Sequence, residues 1–389
     1  VYALVGASAA IAAAVGPLLG GFITTFLSWR VAFMLEALII AVVLSGIKLV
    51  HDVPFVGNRS LDLFGSLLSI VGMGGIVLGI LVWQEGGESV GALLAVGAVG
   101  LGGLVYWLLR RKRLDKATLL DPDLFQSKAF RFGATGQMMQ QVALGGTMIV
   151  LPIYLQMVLG YNAMQAGLSI APLSLTMFAV AMAAGKRAGA RRPAGLIRWG
   201  FLLLIAGLLV LIPVVPRADS GWWLLVPLII AGCGLGLLVS QLNNYTLSPI
   251  SDERVSEAAS VNSASGSFGL SLGLAFAGGI MLASLSSIFI GMAASSTVLA
   301  PDQQQQVSQA LEQDAQVMSD AQLEELLVGQ TEEVSDEIMR INTEARPLAL
   351  QIALVVPILA GLIGLFTSFR MMRLPDPKPS GTGEGAILG

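Results

Sequence analysis

The sequence predicts an all-α, polytopic membrane protein folded as a helical bundle, and three observations carry that expectation. Of its 389 residues, 55% are hydrophobic and 12% are charged. An ordinary soluble domain carries roughly 25% charged residues, so too few are present here to solvate a globule. Ten apolar stretches each approach the ~20 residues that a helix needs to cross a hydrocarbon core of ~30 Å. The 22 Lys and Arg fall between these stretches or at their ends, and in the middle of none.

The first stretch, residues 2–26, contains Ala9, Ala13, Gly16 and Gly20 at i, i+4, i+7 and i+11, which share one helical face. Lipid gives helices no hydrophobic drive to associate, so a smooth face that admits a second backbone is how such helices pack. Pro17 removes one ladder hydrogen bond and bends the helix within that face. Leu27-Ser28-Trp29-Arg30 makes a short turn into the second stretch, 31–50, and two more follow at 62–84 and 90–109. After a basic linker, 110–131, come 132–158, 163–184, 198–215, 222–247 and 258–290. A last span, 347–369, precedes the tail 370–389. Pro152, Pro172, Pro213 and Pro227 do not argue against these spans, because Pro is commoner in membrane helices than in soluble ones.

Orientation follows from the basic residues. Alternate connections (48–61, 110–131, 185–198, 249–257 and the tail from Arg370) hold all of them except Arg30, Arg217, Arg340 and Arg346. The positive-inside rule therefore predicts that this group of connections, and both ends of the chain, face the cytoplasm. All six Trp fall at span ends, as an interfacial belt requires. The run Arg110-Arg111-Lys112-Arg113 reads as a topology anchor or as a site for anionic lipid.

The segment 291–346 lies outside by alternation and holds 11 acids against two arginines. Val307, Ala310, Leu311 and Val317 recur on one face, Ser319-Asp320 precede Leu323, Leu326 and Leu327, and Gly329 can end that helix. Two short helices and a third that runs into the last span are expected. They form either a solvated acidic cap or a hairpin guarding an outer vestibule.

Several chemistries are excluded. Cys233 is the only cysteine and His51 the only histidine, so neither a disulfide nor a cysteine-based zinc site can be assembled, and most hydrolase, metal and haem schemes fall with them. A net charge of −3 carries no nucleic-acid signature. No Gly-x-x-x-x-Gly-Lys occurs, and Gly232-Cys233-Gly234-Leu235-Gly236 follows no strand and reads as helix packing. What remains are neutral polar groups in apolar helices: Gln137, Gln140 and Gln141, Asn243 and Asn244, and Asn262. They either bond between helices or line a substrate cavity, with Met138, Met139, Met148 and Met157 as adaptable surface. Glu36, the one acid clearly inside a span, is a candidate proton site.

Gly16-Pro17-Leu18-Leu19-Gly20-Gly21, followed by Leu27-Ser28-Trp29-Arg30, resembles the antiporter signature of the major facilitator superfamily. Leu151-Pro152-Ile153-Tyr154-Leu155-Gln156, Gly160, Ala166-Gly167-Leu168 and Pro172 look like the start of the C-terminal bundle in its fourteen-helix drug/proton antiporter group. Gly232 to Gly236, Val261-Asn262 and Gly269 to Ala275 are similar to that group's late helices. The resemblance implies a major-facilitator-like bundle in which these ten spans are helices five to fourteen, with four more upstream. Residues 1–50 would then close the N-terminal bundle, 51–131 hold two inserted helices and the linker, 132–369 form the C-terminal bundle, and 370–389 a cytoplasmic tail. It also implies a proton-coupled exporter of amphipathic small molecules or drugs in a bacterial inner membrane, without cofactor, in contact with protons and membrane lipids and with no nucleic acid. Gly16, Pro17, Gly20 and Gly21 would be its antiporter motif. A lipid or lipid-linked metabolite exporter, and a transport-inactive scaffold or sensor, are the competing readings. The loop Gly185 to Arg192 resembles the degenerate second copy of the family's loop motif but lacks its aspartate, and 258–290 holds no acid.

Overall fold

The computed structural model describes residues 2–49, 62–84, 87, 89–114, 116, 118–186, 192–251, 254–304, 323–324 and 327–375. Among them every regular element is helical: α1 Tyr2–Phe26, α2 Trp29–Ser45, α3 Leu63–Gln84, α4 Val90–Arg113, α5 Lys128–Ile153, α6 Ala163–Lys186, α7 Pro193–Val214, α8 Leu225–Leu247, α9 Val255–Ser295, α10 Glu332–Ala353 and α11 Val355–Met371. Nine stretches among the described residues are long and apolar enough to cross a membrane, α10 and α11 counting as one. α1, a helix of 25 residues, stands in the place of the first expected span.

Two of them differ from expectation. α2 ends at Ser45 on Gly46 and passes into a single 3-10 turn, Ile47–Leu49. α9 is one helix of 41 residues, about 61 Å at 1.5 Å per residue, so it runs well past a ~30 Å core. Nothing in its sequence stops it, since residues 283–295 are Ala, Ser, Gly and apolar, with no Pro before Pro301. Its far end pairs with α10. Val334, Ile338, Ile341, Ala345 and Ala349 recur along one face of α10 and are buried against Leu285, Phe289 and Ala293 of α9. Only Leu354 separates α10 from α11, so a helix does run into the last span. Of the two shorter helices expected before it, the stretch with Val307, Ala310, Leu311 and Val317 lies outside the described residues; in the second, the Leu327 N–H donates to the Leu323 carbonyl at 3.0 Å, and Gly329 has a φ of 101°.

The principal core gathers α5 to α9 and α11, with Tyr154, Phe201, Leu204, Leu238 and Tyr245 almost fully enclosed. Backbones approach closely because small residues sit at the crossings. A Cβ on Gly269 of α9 would lie 2.5 Å from the Met138 carbonyl oxygen of α5. The glycine run in α8 serves two neighbours: Gly232 and Gly236 lie against the Leu173 and Met177 carbonyls of α6, and Gly234 against Gly200 of α7. α3 and α4 form a pair of their own, Gly72 against Gly100 and Gly75 against Gly97, and α3 also touches α9. α2 has no buried residue.

Charges tie the linker to both of these units. Asp121 accepts from Lys112 Nζ of α4 at 3.0 Å and from Arg254 Nη2, beside the start of α9, at 2.9 Å. Its own N–H donates to Glu257 at 2.6 Å. Burial alone would raise the Asp121 pKa. The Asp123 N–H, Lys112 and Arg254 outweigh that and hold it below the ordinary 3.8. A depressed carboxylate pKa stabilises the fold above the unfolded value and ceases to do so as pH falls through the folded one. Asp121→Asn is therefore expected to lower the melting temperature at neutral pH, and melting curves should show the gap to wild type closing once the medium is acid enough to protonate Asp121.

Candidate functional site

Two places bring the sequence-marked residues together. The first is the seam between α1 and α6. Ser28 caps α2, accepting from the Arg30 N–H at 3.4 Å, while the Arg30 guanidinium lies 4.7 Å over the Trp29 ring. This sharp turn follows directly on the part of α1 that meets α6. There, a Cβ on Gly21 would sit 2.6 Å from the Ala163 carbonyl oxygen, and one on Gly167 would sit 2.5 Å from the Pro17 carbonyl oxygen. Thr25 Oγ1 accepts the Met164 N–H at 3.1 Å. α6 is further capped by Asn162 and Gln165, each side chain accepting from the other's backbone N–H at 2.9 and 3.0 Å, a capping box.

The contacting residues of α1 are thus Pro17, Gly21 and Thr25, at i, i+4 and i+8. Gly16 and Gly20 have no described atom within 4 Å of where a Cβ would lie. α6 thus packs on the face through Pro17 and Gly21, one residue on from the face through Gly16 and Gly20. A Gly20-Gly21 pair is equally small at both positions, and spacing alone does not choose between faces 100° apart. The side chains of Ala9 and Ala13 lie outside the described set. Glu36 is exposed on α2, whose helix contacts are chiefly with α1.

The second place is a belt of amides within the main core. Asn262 is 2% exposed and donates from Nδ2 to Asn243 Oδ1 at 2.7 Å, joining α9 to α8. One turn on, Gly266 leaves room for α5: a Cβ there would lie 3.5 Å from both Gln137 Nε2 and Gln141 Cγ. Gln140 is 2% exposed. It lies one turn from Gly136, which packs against Leu242 of α8 and Met371 of α11. Asn244 Oδ1 instead accepts from Ser248, the residue that follows α8, at 3.2 Å. Sequence reasoning passed over Gln241, which is 3% exposed and donates to Ser240 at 2.8 Å. Its position just before Asn243-Asn244 in an apolar helix was the available signal.

Among the described residues, the Oε1 atoms of Gln137 and Gln140 and the Oδ1 of Asn262 are buried with no hydrogen-bond partner. Each such acceptor costs about 1–3 kcal/mol when left unmet. Among the described residues no cluster of His, Cys, Asp and Glu could hold a metal ion. A cavity of about 420 Å³ lies at the other end of the bundle, lined by Tyr161, Gln165, Ser169, Pro172 and Trp222 among others.

The sequence matches the family model of the Major Facilitator Superfamily over residues 1–274. It is 24% identical over 292 residues to a protein of Streptomyces coelicolor named as an actinorhodin transporter, covering 72% of this chain and 50% of that one. It is 28% identical over 272 residues to a protein of Yersinia pestis named as multidrug resistance protein MdtD, covering 68% of this chain and 56% of that one. The chain therefore spans about half the length of these curated relatives. A crystal structure of a bacterial homolog to the human lysosomal transporter Spinster, inward-facing and unoccupied, aligns with a TM-score of 0.46 at 17% identity over 79% of this chain and 64% of that one. With a match over well more than half its length and helices throughout its described elements, this chain belongs to the Major Facilitator Superfamily.

Proposed function

We propose that the chain supplies the C-terminal bundle, and the interbundle helix α1, of a proton-coupled exporter that expels amphipathic small molecules across a bacterial inner membrane. The belt of Gln137, Gln140, Gln141, Asn243 and Asn262 carries this reading. Its unpartnered amide oxygens are uncharged acceptors suited to varied donor groups, and Met138 and Met148 beside them are only half-buried and adaptable. In this reading α5 borders the pathway. A substrate enters near Gln137 and Gln141, meets Leu144 and Met148 further along the same face, and keeps its polar end on the amides. Both chain ends and the 110–131 linker lie in the cytoplasm, and the α9–α10 hairpin projects outside. The relatives' names, a multidrug resistance protein and an actinorhodin transporter, support efflux as the direction.

The test is Gln137→Leu and Gln141→Leu in the full-length exporter, reading substrate profile and protein abundance together. Loss of one net hydrogen bond, about 0.5–1.5 kcal/mol, is expected to shift apparent substrate affinity about 2- to 10-fold while abundance holds. Unchanged selectivity with lowered stability at both positions would retire the cavity in favour of purely interhelical bonding. Glu36 is read as a structural or interfacial acid, since it stands on a helix with no buried residue. Glu36→Gln is accordingly expected to leave proton-driven export intact in a vesicle assay, and abolished export at normal expression would make it the proton carrier.

A further inference from the structure

The basic run that stands out in the sequence is partly neutralised in the fold. Arg111 pairs with Asp62 at 3.7 Å, and Lys112 with Asp121 and Asp123 at 3.0 and 2.8 Å. Uncompensated positive charge collects instead where the start of α5, the start of α7 and the end of α11 meet. Arg131 and Arg370, 239 positions apart, both lie over the Phe132 ring, with guanidinium carbons 5.6 and 5.9 Å from its centroid. Arg370 also lies 4.8 Å over Phe366, and Arg198 lies 5.9 Å over Phe369. The Arg198 Nε is buried with no hydrogen-bond partner. The ion pairs among the described residues engage Arg111, Lys112, Arg254 and Arg340 and none of these three arginines.

Above the charges, Leu359, Leu362, Ile363, Phe366 and Phe369 of α11 are each about half exposed and share one face. The stripe is about 15 Å long at 1.5 Å per residue, which is the depth of one leaflet, half of ~30 Å. Trp199, 55% exposed beside Arg198, is placed as a residue of the membrane interface. Each guanidinium lies over an aromatic ring, and among the described residues no carboxylate pairs with any of the three.

We propose that this corner binds an anionic phospholipid, its phosphate taken by Arg131 and Arg370 with Arg198 beside them, and one acyl chain laid along the Leu359–Phe369 face. Two like charges over one ring repel each other, and a phosphate between them turns that repulsion into two charge-assisted hydrogen bonds. The lipid would pin the α11 end to the α5 and α7 starts, at the base of the same bundle that carries the amides.

Native mass spectrometry of the chain, released from an equal mixture of phosphatidylglycerol and phosphatidylcholine with identical acyl chains, tests the proposal. Retained lipid should be mainly phosphatidylglycerol. Arg131→Gln and Arg370→Gln should each reduce that preference about fivefold, the worth of one basic residue at an anionic surface. Arg370→Lys should keep most of it, and Arg110→Gln with Arg113→Gln should leave it unchanged. Equal retention of the two lipids by wild type, or equal losses from the Arg110/Arg113 and Arg131/Arg370 changes, would overturn the site. Displacement of the lipid by excess inorganic phosphate would assign the arginines to a free anion instead. Where a variant fails to fold, a photoactivatable phosphatidylglycerol on the wild-type chain decides. Labelling within 359–370 supports the site, and labelling elsewhere, or equally by the phosphatidylcholine probe, defeats it.

Discussion

Gly21→Leu and Gly167→Leu are each expected to destabilise the chain by about 1–3 kcal/mol, the usual cost of forcing extra methylenes into a packed contact. The neighbours are main-chain atoms: a Cβ on Gly21 would lie 2.6 Å from the Ala163 carbonyl oxygen and 3.0 Å from the Met164 Cα. A side chain in the way can change rotamer, but a helix backbone can only move as a body, so α1 and α6 must part. The hydrogen bond from the Met164 N–H to Thr25 Oγ1 at 3.1 Å is lost with the contact. Gly16→Ala and Gly20→Ala meet nothing within 4 Å and should leave stability unchanged or raise it by up to about 1 kcal/mol through helix propensity. Melting curves of the four variants in detergent, with cross-linking of cysteines placed at residues 25 and 164 in a Cys233→Ser background, separate the outcomes. Wild-type melting and cross-linking in Gly21→Leu would show that the seam lies elsewhere on α1.

How far the sequence could be read is visible in this seam. Helices were legible because their apolar stretches are long enough to span a bilayer, and the Ser-Trp-Arg turn because Ser28 is a capping residue placed between two such stretches. The α1 face was legible only to within one residue, since Gly20 and Gly21 are both small and the choice is made by α6, whose Gly167 admits the Pro17 carbonyl. In the amide belt, residue types were legible but pairing was not. Asn243 meets Asn262 across two helices, whereas its neighbour Asn244 turns back to Ser248, a difference of 100° that no composition reveals. The arginines at 131, 198 and 370 stand far apart in the chain, and each reads there as a span-end charge. Only the packing of α11 against α5 and α7 makes them neighbours.

Arg346 is the residue whose role the charge pattern hid most, and its removal is the second large effect expected. Counting basic residues places it in a solvated connection just before the last span. In the fold it is 2% exposed, because α10 continues through Pro347 without a break and carries it into contact with the end of α5. That helix closes in a single π turn, Tyr154–Val158, and carbonyls at a helix C-terminus lie beyond the last donors of the ladder. The Arg346 guanidinium supplies one, donating to the Met157 carbonyl from 189 positions away and to the Asn342 carbonyl of its own helix at 3.2 Å. A cation at that end also meets the negative pole of the helix dipole, worth up to ~2 kcal/mol when partly buried. Arg346→Met keeps the length and apolar stem but leaves the Met157 carbonyl without that donor, at a cost of about 1–3 kcal/mol beyond the lost dipole term. Arg346→Lys keeps the charge without the fork and should recover part of the loss. Thermal unfolding of both variants, with limited proteolysis of the 154–162 turn, reads the effect. Melting of Arg346→Met at the wild-type temperature would mean that the π turn holds its place without the guanidinium.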